Sequence, residues 1–101
     1  MINVVATIRI KEGKRDEFIE KFKANVPNVL AEEGCIRYSP TVDVESGFPI
    51  QDKNPNSLTV IEQWETMEAL QAHDVAPHMG DFRRATKGLS EGVTLKVLQD
   101  A

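Results

Sequence analysis

The chain is poor in the residues that most often announce chemistry. It holds one cysteine, two histidines, one tryptophan, one tyrosine and four phenylalanines in 101 residues. Cys35 alone can close no disulfide within the chain, so a reducing compartment is allowed. No run of about 18 apolar residues is present, and nothing reads as a membrane span. The start, MINVVATIRIKEGK, lacks a basic leader, and its apolar run is too short for a signal peptide; the cytoplasm is the default expectation. Positive charge is also scarce. Twelve Lys and Arg stand against sixteen Asp and Glu, a net charge of −4, which argues against a nucleic-acid partner that would need a basic stripe. Lys11, Lys14 and Arg15 form the one basic cluster and read as the solvated start of a helix. G-x-S-x-G, a P-loop and a dinucleotide fingerprint are all missing, so acyl transfer, nucleotide hydrolysis and nicotinamide chemistry have no support.

What is present is ordinary globular material, 41% apolar and 28% charged, enough for one domain over 1–101 and too little for two. Residues 2–10 alternate, with Ile2, Val4, Ala6, Ile8 and Ile10 on one face, which predicts a strand. Residues 14–33 carry Phe18, Ile19, Phe22, Val26, Val29 and Leu30 in one stripe, which predicts a helix with Pro27 opposite the stripe and Gly34 as its stop. Residues 35–44 predict a second strand with Ile36, Tyr38 and Val42 on one side and Pro40 at an edge or bulge. A long loop follows to Ser57. Leu58–Glu65 predicts a third strand with Val60, Glu62 and Trp64 sharing a face. Thr66 caps a short helix, Pro77 breaks it, and a further helical piece places His78, Phe82, Ala85 and Leu89 on one side. Val93–Gln99 predicts the last strand. The order β-α-β-β-α-β implies an α+β, ferredoxin-like fold, a four-stranded antiparallel sheet with the helices on one face. The other face, with Val5 and Ile61 among Thr, Gln and Arg, is left for a second subunit to cover.

Five positions could carry chemistry. Trp64 is core, or a flat wall against which an aromatic ring stacks for about 0.5–1.5 kcal/mol beyond burial. Glu62, two residues before it, points into the same apolar interior, where an unpaired carboxylate is costly. It is a satisfied partner for Arg83, Arg84 or a backbone amide, or a carboxylate that orients a histidine or takes a proton. His73 and His78 are five apart, about 140° on an ideal helix, so they make no i, i+4 metal pair, and no metal is expected. Either could be a general base. His78, on the stripe of Phe82, is the favoured one. Tyr38 could hydrogen-bond a ligand oxygen or simply be core, and Cys35 reads as a small buried hydrophobe.

The segments Glu32-Glu33-Gly34-Cys35-Ile36-Arg37-Tyr38, Ile61-Glu62-Gln63-Trp64-Glu65 and Leu70-Gln71-Ala72-His73 with Pro77-His78-Met79 resemble the antibiotic biosynthesis monooxygenase family, nearest its quinol monooxygenase branch. The resemblance runs along nearly the whole chain. It implies a homodimer closing a dimeric α/β-barrel, a pocket between sheet and helices in each subunit, and oxidation of an activated aromatic by O₂ with no cofactor. The substrate anion itself would pass an electron to O₂. For such a reaction His78, His73 and Glu62 are the candidate catalytic residues; Trp64, Phe82 and Met79 would form an aromatic cage for the substrate, with Tyr38 as a further substrate-binding candidate. Two departures narrow the branch. Ile8 and Asp74 stand where haem-degrading relatives place Asn and His, and Val60 and Leu70 stand where polyketide-modifying relatives place Asn and Tyr. An isomerase or degradative enzyme for a small sugar-like signal, and a non-catalytic ligand-binding dimer, are the alternatives on the same fold.

Overall fold

The computed structural model describes all residues from Met1 to Ala101. Strand β1 spans Ile2–Ile10, helix α1 Arg15–Leu30, β2 Cys35–Thr41, β3 Ser57–Trp64, α2 Met67–Asp74, α3 Pro77–Ala85 and β4 Ser90–Leu98. The strands form one sheet in the order β2-β3-β1-β4. Every neighbouring pair is antiparallel. This is the ferredoxin-like α+β arrangement expected, with one difference: the second helical region is two helices. Pro77 is the cause. It has no N–H to continue α2 and fits the first turn of a new helix, where that donor is not needed.

The alternation of β1 and β3 decides where the core sits. Val4, Ala6, Ile8 and Ile10 from β1 and Leu58, Val60, Glu62 and Trp64 from β3 point to the helix side and are buried. The register pairs Val4 with Glu62, Ala6 with Val60 and Ile8 with Leu58. Phe18, Phe22 and Val29 of α1 pack onto this layer, with Ile19 and Val26 partly buried beside them. Leu30 is turned to solvent at 49% exposure, because α1 ends there and the stripe stops at Val29.

β2 departs from its alternating pattern. The register slips between Cys35 and Arg37, so Ile36 falls in a bulge and is exposed. Val42 lies beyond the strand end. Of the three residues expected on one side, only Tyr38 reaches the core. β2 is a sheet edge, which accommodates Pro40. In α3, Ala85 is exposed, and Thr86 is buried just after the helix, its hydroxyl donating to the Phe82 carbonyl at 3.0 Å. β4 begins three residues earlier than the pattern suggested, at Ser90. No helix is long and apolar enough to cross a membrane.

One edge of the helix side stays uncovered. Val93, Leu95 and Val97 of β4 pair with Ile8, Ala6 and Val4 and so face the helix layer. No helix lies over them, and Leu95 is 60% exposed.

Candidate active site

A cavity of about 710 Å³ fills the space between this bare part of the sheet and helices α2 and α3. Its size falls within the range usual for small-molecule sites. Fifteen of its 22 lining residues are hydrophobic, so a ligand's body would meet apolar surface with few polar anchors. The polar anchors at its inner wall are Tyr38, Glu62 and His73, while Gln71, Asp74, Arg83, Thr86 and Ser90 also reach it.

Local sequence explains how these groups arrive together. Glu62 shares the inward face of β3 with Val60 and Trp64. It is buried, 6% exposed, and its Oε1 accepts a hydrogen bond from the Trp64 indole Nε1 at 3.0 Å. Neither arginine satisfies it: Arg83 pairs with Asp74 at 2.9 Å and Arg84 with Asp81. Burial pushes the Glu62 carboxyl above its ordinary value of 4.5. The Trp64 bond and His73 pull it down, and Glu32 pushes it up again.

His73 lies in the last turn of α2, which Thr66 caps by accepting the Ala69 amide at 3.1 Å. The His73 ring packs against two aromatic rings. Trp64 is 4.8 Å away between centroids and tilted; Tyr38 is 5.4 Å away and edge-on. Its Nδ1 is 2.8 Å from Glu32 Oε2. Glu32 sits in the turn after α1. That turn is fixed by the Glu32 amide on the Val29 carbonyl, the Cys35 amide on the Glu32 carbonyl, and the Glu65 amide on the Gly34 carbonyl.

His78 approaches the same carboxylate from α3, with Nε2 3.2 Å from Glu32 Oε2. The approach is off-line, and both ring nitrogens are buried without a hydrogen-bond partner. The break at Pro77 brings the two imidazoles to one carboxylate, although an unbroken helix would have pointed them apart. No three His, Cys, Asp or Glu side chains are arranged to hold a metal ion.

Tyr38 is buried and stacked on Phe22 at 5.3 Å. Burial, then Glu62, Glu32 and Cys35, push its hydroxyl well above the usual phenol range, with Arg83 acting against them; it stays a neutral donor. Cys35 is pushed up to about 11, first by burial and then by Glu32 and Glu62. It remains a thiol, packed against the core.

The sequence-predicted site therefore divides. Tyr38, Glu62, His73, Met79 and Phe82 line the cavity. Trp64 and His78 do not. Trp64 is 0% exposed, a core residue behind Glu62 and His73, and Phe22 supplies the aromatic wall in its place. His78 meets Glu32 from α3 and does not line the cavity, although Met79 and Phe82 of the same helix do. Glu32 was not singled out by the sequence. Nothing in Glu32-Glu33-Gly34 tells which of two adjacent carboxylates turns inward.

The Antibiotic biosynthesis monooxygenase family matches residues 1–85. The chain belongs to this family. The Escherichia coli protein named "Probable quinol monooxygenase YgiN" is 40% identical to this monooxygenase-family chain over 101 residues, covering 98% of it and 97% of the relative. Among solved structures, one from Pseudomonas aeruginosa superposes with a TM-score of 0.81 at 25% identity, covering 99% of this chain and 93% of its own. One from Methanosarcina mazei Go1 gives 0.81 at 28% identity, covering 99% and 92%. The family match and the cavity agree on a small-molecule enzyme of the monooxygenase type.

Proposed function

We propose that the chain is a cofactor-independent monooxygenase that inserts one atom of O₂ into a quinol or related phenolic aromatic. The observation that carries this reading is the concentration of Tyr38, Glu62 and His73 at the inner wall of a mostly apolar cavity. An aromatic ring gains from the apolar walls, and its oxygens from the three polar groups. The resemblance to a relative named as a quinol monooxygenase supports the same substrate class.

In this reading His73 is the general base. It takes a proton from the ring hydroxyl, and the anion passes an electron to O₂. The ring radical and superoxide then join at a ring carbon next to the oxygen-bearing one. Loss of that carbon's proton and cleavage of the O–O bond release water and leave a new carbonyl. A quinol and one O₂ thus become a hydroxyquinone and one water, with no external reductant. Tyr38, held neutral, donates to the developing ring oxyanion. The apolar walls limit water around the anion. The sugar-like ligand fits less well, because a lining with 15 hydrophobic residues of 22 would face much of its hydroxyl-bearing surface.

Oxygen uptake with naphthalene-1,4-diol and benzene-1,4-diol tests the proposal, run under ¹⁸O₂. The expected result is enzyme-dependent uptake with one labelled atom in the product and one in water. Uptake that leaves no label in the organic product would overturn it.

A further inference from the structure

The site holds a carboxylate that the reaction above does not use. Glu32 Oε2 lies 2.8 Å from His73 Nδ1, and the Glu32 side chain is only 16% exposed. An ionised carboxylate can only accept hydrogen bonds, so the proton between them belongs to Nδ1. A neutral His73 then carries its lone pair on Nε2, the one nitrogen left free on a residue that lines the cavity. Resting on the functional reading above, we propose that Glu32 is a positioning residue: it fixes His73 as the Nδ1–H tautomer and steadies the imidazolium formed once Nε2 has taken the substrate proton.

Two further features fit only this arrangement of the ring. Trp64 and Tyr38 pack against it, so it cannot swing to present Nδ1 to the cavity without leaving its carboxylate. The turn that carries Glu32 is anchored through backbone atoms to α1 and to the end of β3, so the carboxylate is delivered by a fixed segment. The other groups facing this cluster are Cys35 and Tyr38 from β2, Glu62 from β3, and His78 and Arg83 from α3. Of these, His78 alone approaches the same Glu32 oxygen, and it does so off-line.

The test reads the tautomer directly. Long-range ¹H–¹⁵N correlation on histidine-labelled protein should show neutral His73 protonated on Nδ1 in the wild type. In Glu32→Ala the population should shift towards the Nε2–H form that free imidazole side chains prefer. Glu32→Gln keeps an acceptor without the charge, so it should retain the wild-type tautomer. His78→Ala should retain it too. In quinol turnover, Glu32→Ala should lose about 10- to 100-fold in kcat with little change in KM, and Glu32→Gln should recover part of that loss. A folded Glu32→Ala protein whose His73 keeps the Nδ1–H form overturns the proposal, whatever the turnover assays show. A shifted tautomer in a protein whose wild type oxidises no quinol upholds the positioning and removes the quinol reading instead.

Discussion

His73 and His78 approach the same Glu32 oxygen but differ in access to the cavity. His73 lines it, whereas His78 does not and has both nitrogens unpartnered. Replacing His73 by Ala should therefore lower kcat for quinol oxidation by about 100-fold, the usual scale for losing a general base. His78→Ala should cost less than about tenfold. Steady-state oxygen uptake measures both, and the opposite ranking would move the base to His78. Glu62 gives a second expectation, in stability. Because burial raises its pKa, the native state keeps this proton at pH values where the unfolded chain has lost it. Its stabilising contribution is complete below the ordinary value of 4.5 and is lost as pH rises through the raised one. Glu62→Gln should flatten that decline, so urea unfolding from about pH 4.5 upward should show a shallower loss of stability in the variant than in the wild type. An unchanged slope would mean that Glu62 is ionised in the folded protein at no cost. Strand alternation was enough to turn Glu62 inward. Its indole partner was not legible, because a residue and its neighbour two along a strand share a face without their side chains being obliged to meet.

Elements converge on the site through Gly34. Its backbone has φ +82°, in the left-handed region, and a Cβ built there would lie 2.6 Å from the Ala69 Cβ of α2. Glycine is needed twice over, for the turn and for the close approach. Gly34→Ala should destabilise the protein by about 2 kcal/mol or more, lowering Tm by about 10 °C. It should also displace Glu32 from His73. Thermal unfolding checks the first effect; a Tm within a degree or two of the wild type would show that α2 can move away freely. The stop itself was legible, since glycine after an apolar helical stripe is a familiar ending. The contact with α2 was not, because it joins residues 35 positions apart. The same limit explains the two histidines. Pro77 marked the break in the sequence, but the angle between α2 and α3 depends on packing against α1 and the sheet. The bulge at Ile36 was hidden for a related reason: an extra residue in one strand is defined only by the register of its partner.

The whole molecule is flatter and barer than a monomer of its size should be. Its extents are 37 × 36 × 19 Å and its radius of gyration is 14.0 Å, against about 13 Å for a compact domain of this length. It exposes 6678 Å², where a typical folded chain of 11.3 kDa exposes about 5,700 Å². Only 17 of 101 residues are buried, few for a chain whose alternating strands are this regular. Part of this exposure is the uncovered helix-side edge at Val93, Leu95 and Val97. All three helices lie on one side of the sheet, and the other side presents Val5 and Ile61 paired across β1 and β3, flanked by Asn3, Thr7, Thr59 and Gln63. The Asn3–Gln63 hydrogen bond at 3.3 Å and the Arg9–Thr94 bond at 2.8 Å pair four of the polar side chains on this surface with one another, so those four can be covered without being stranded. A second copy laid face to face across it would close a barrel around a two-fold axis, burying self-complementary rows in an interface above about 1,500 Å² in total. We therefore expect sedimentation equilibrium at tens of micromolar to give twice the chain mass. Ile61→Lys, which places a charge at the centre of that face, should shift the equilibrium towards monomer and leave the His73–Glu32 contact, on the opposite side of the sheet, in place. A wild-type protein that sediments as a monomer would sink the barrel and leave the bare face without a purpose in assembly.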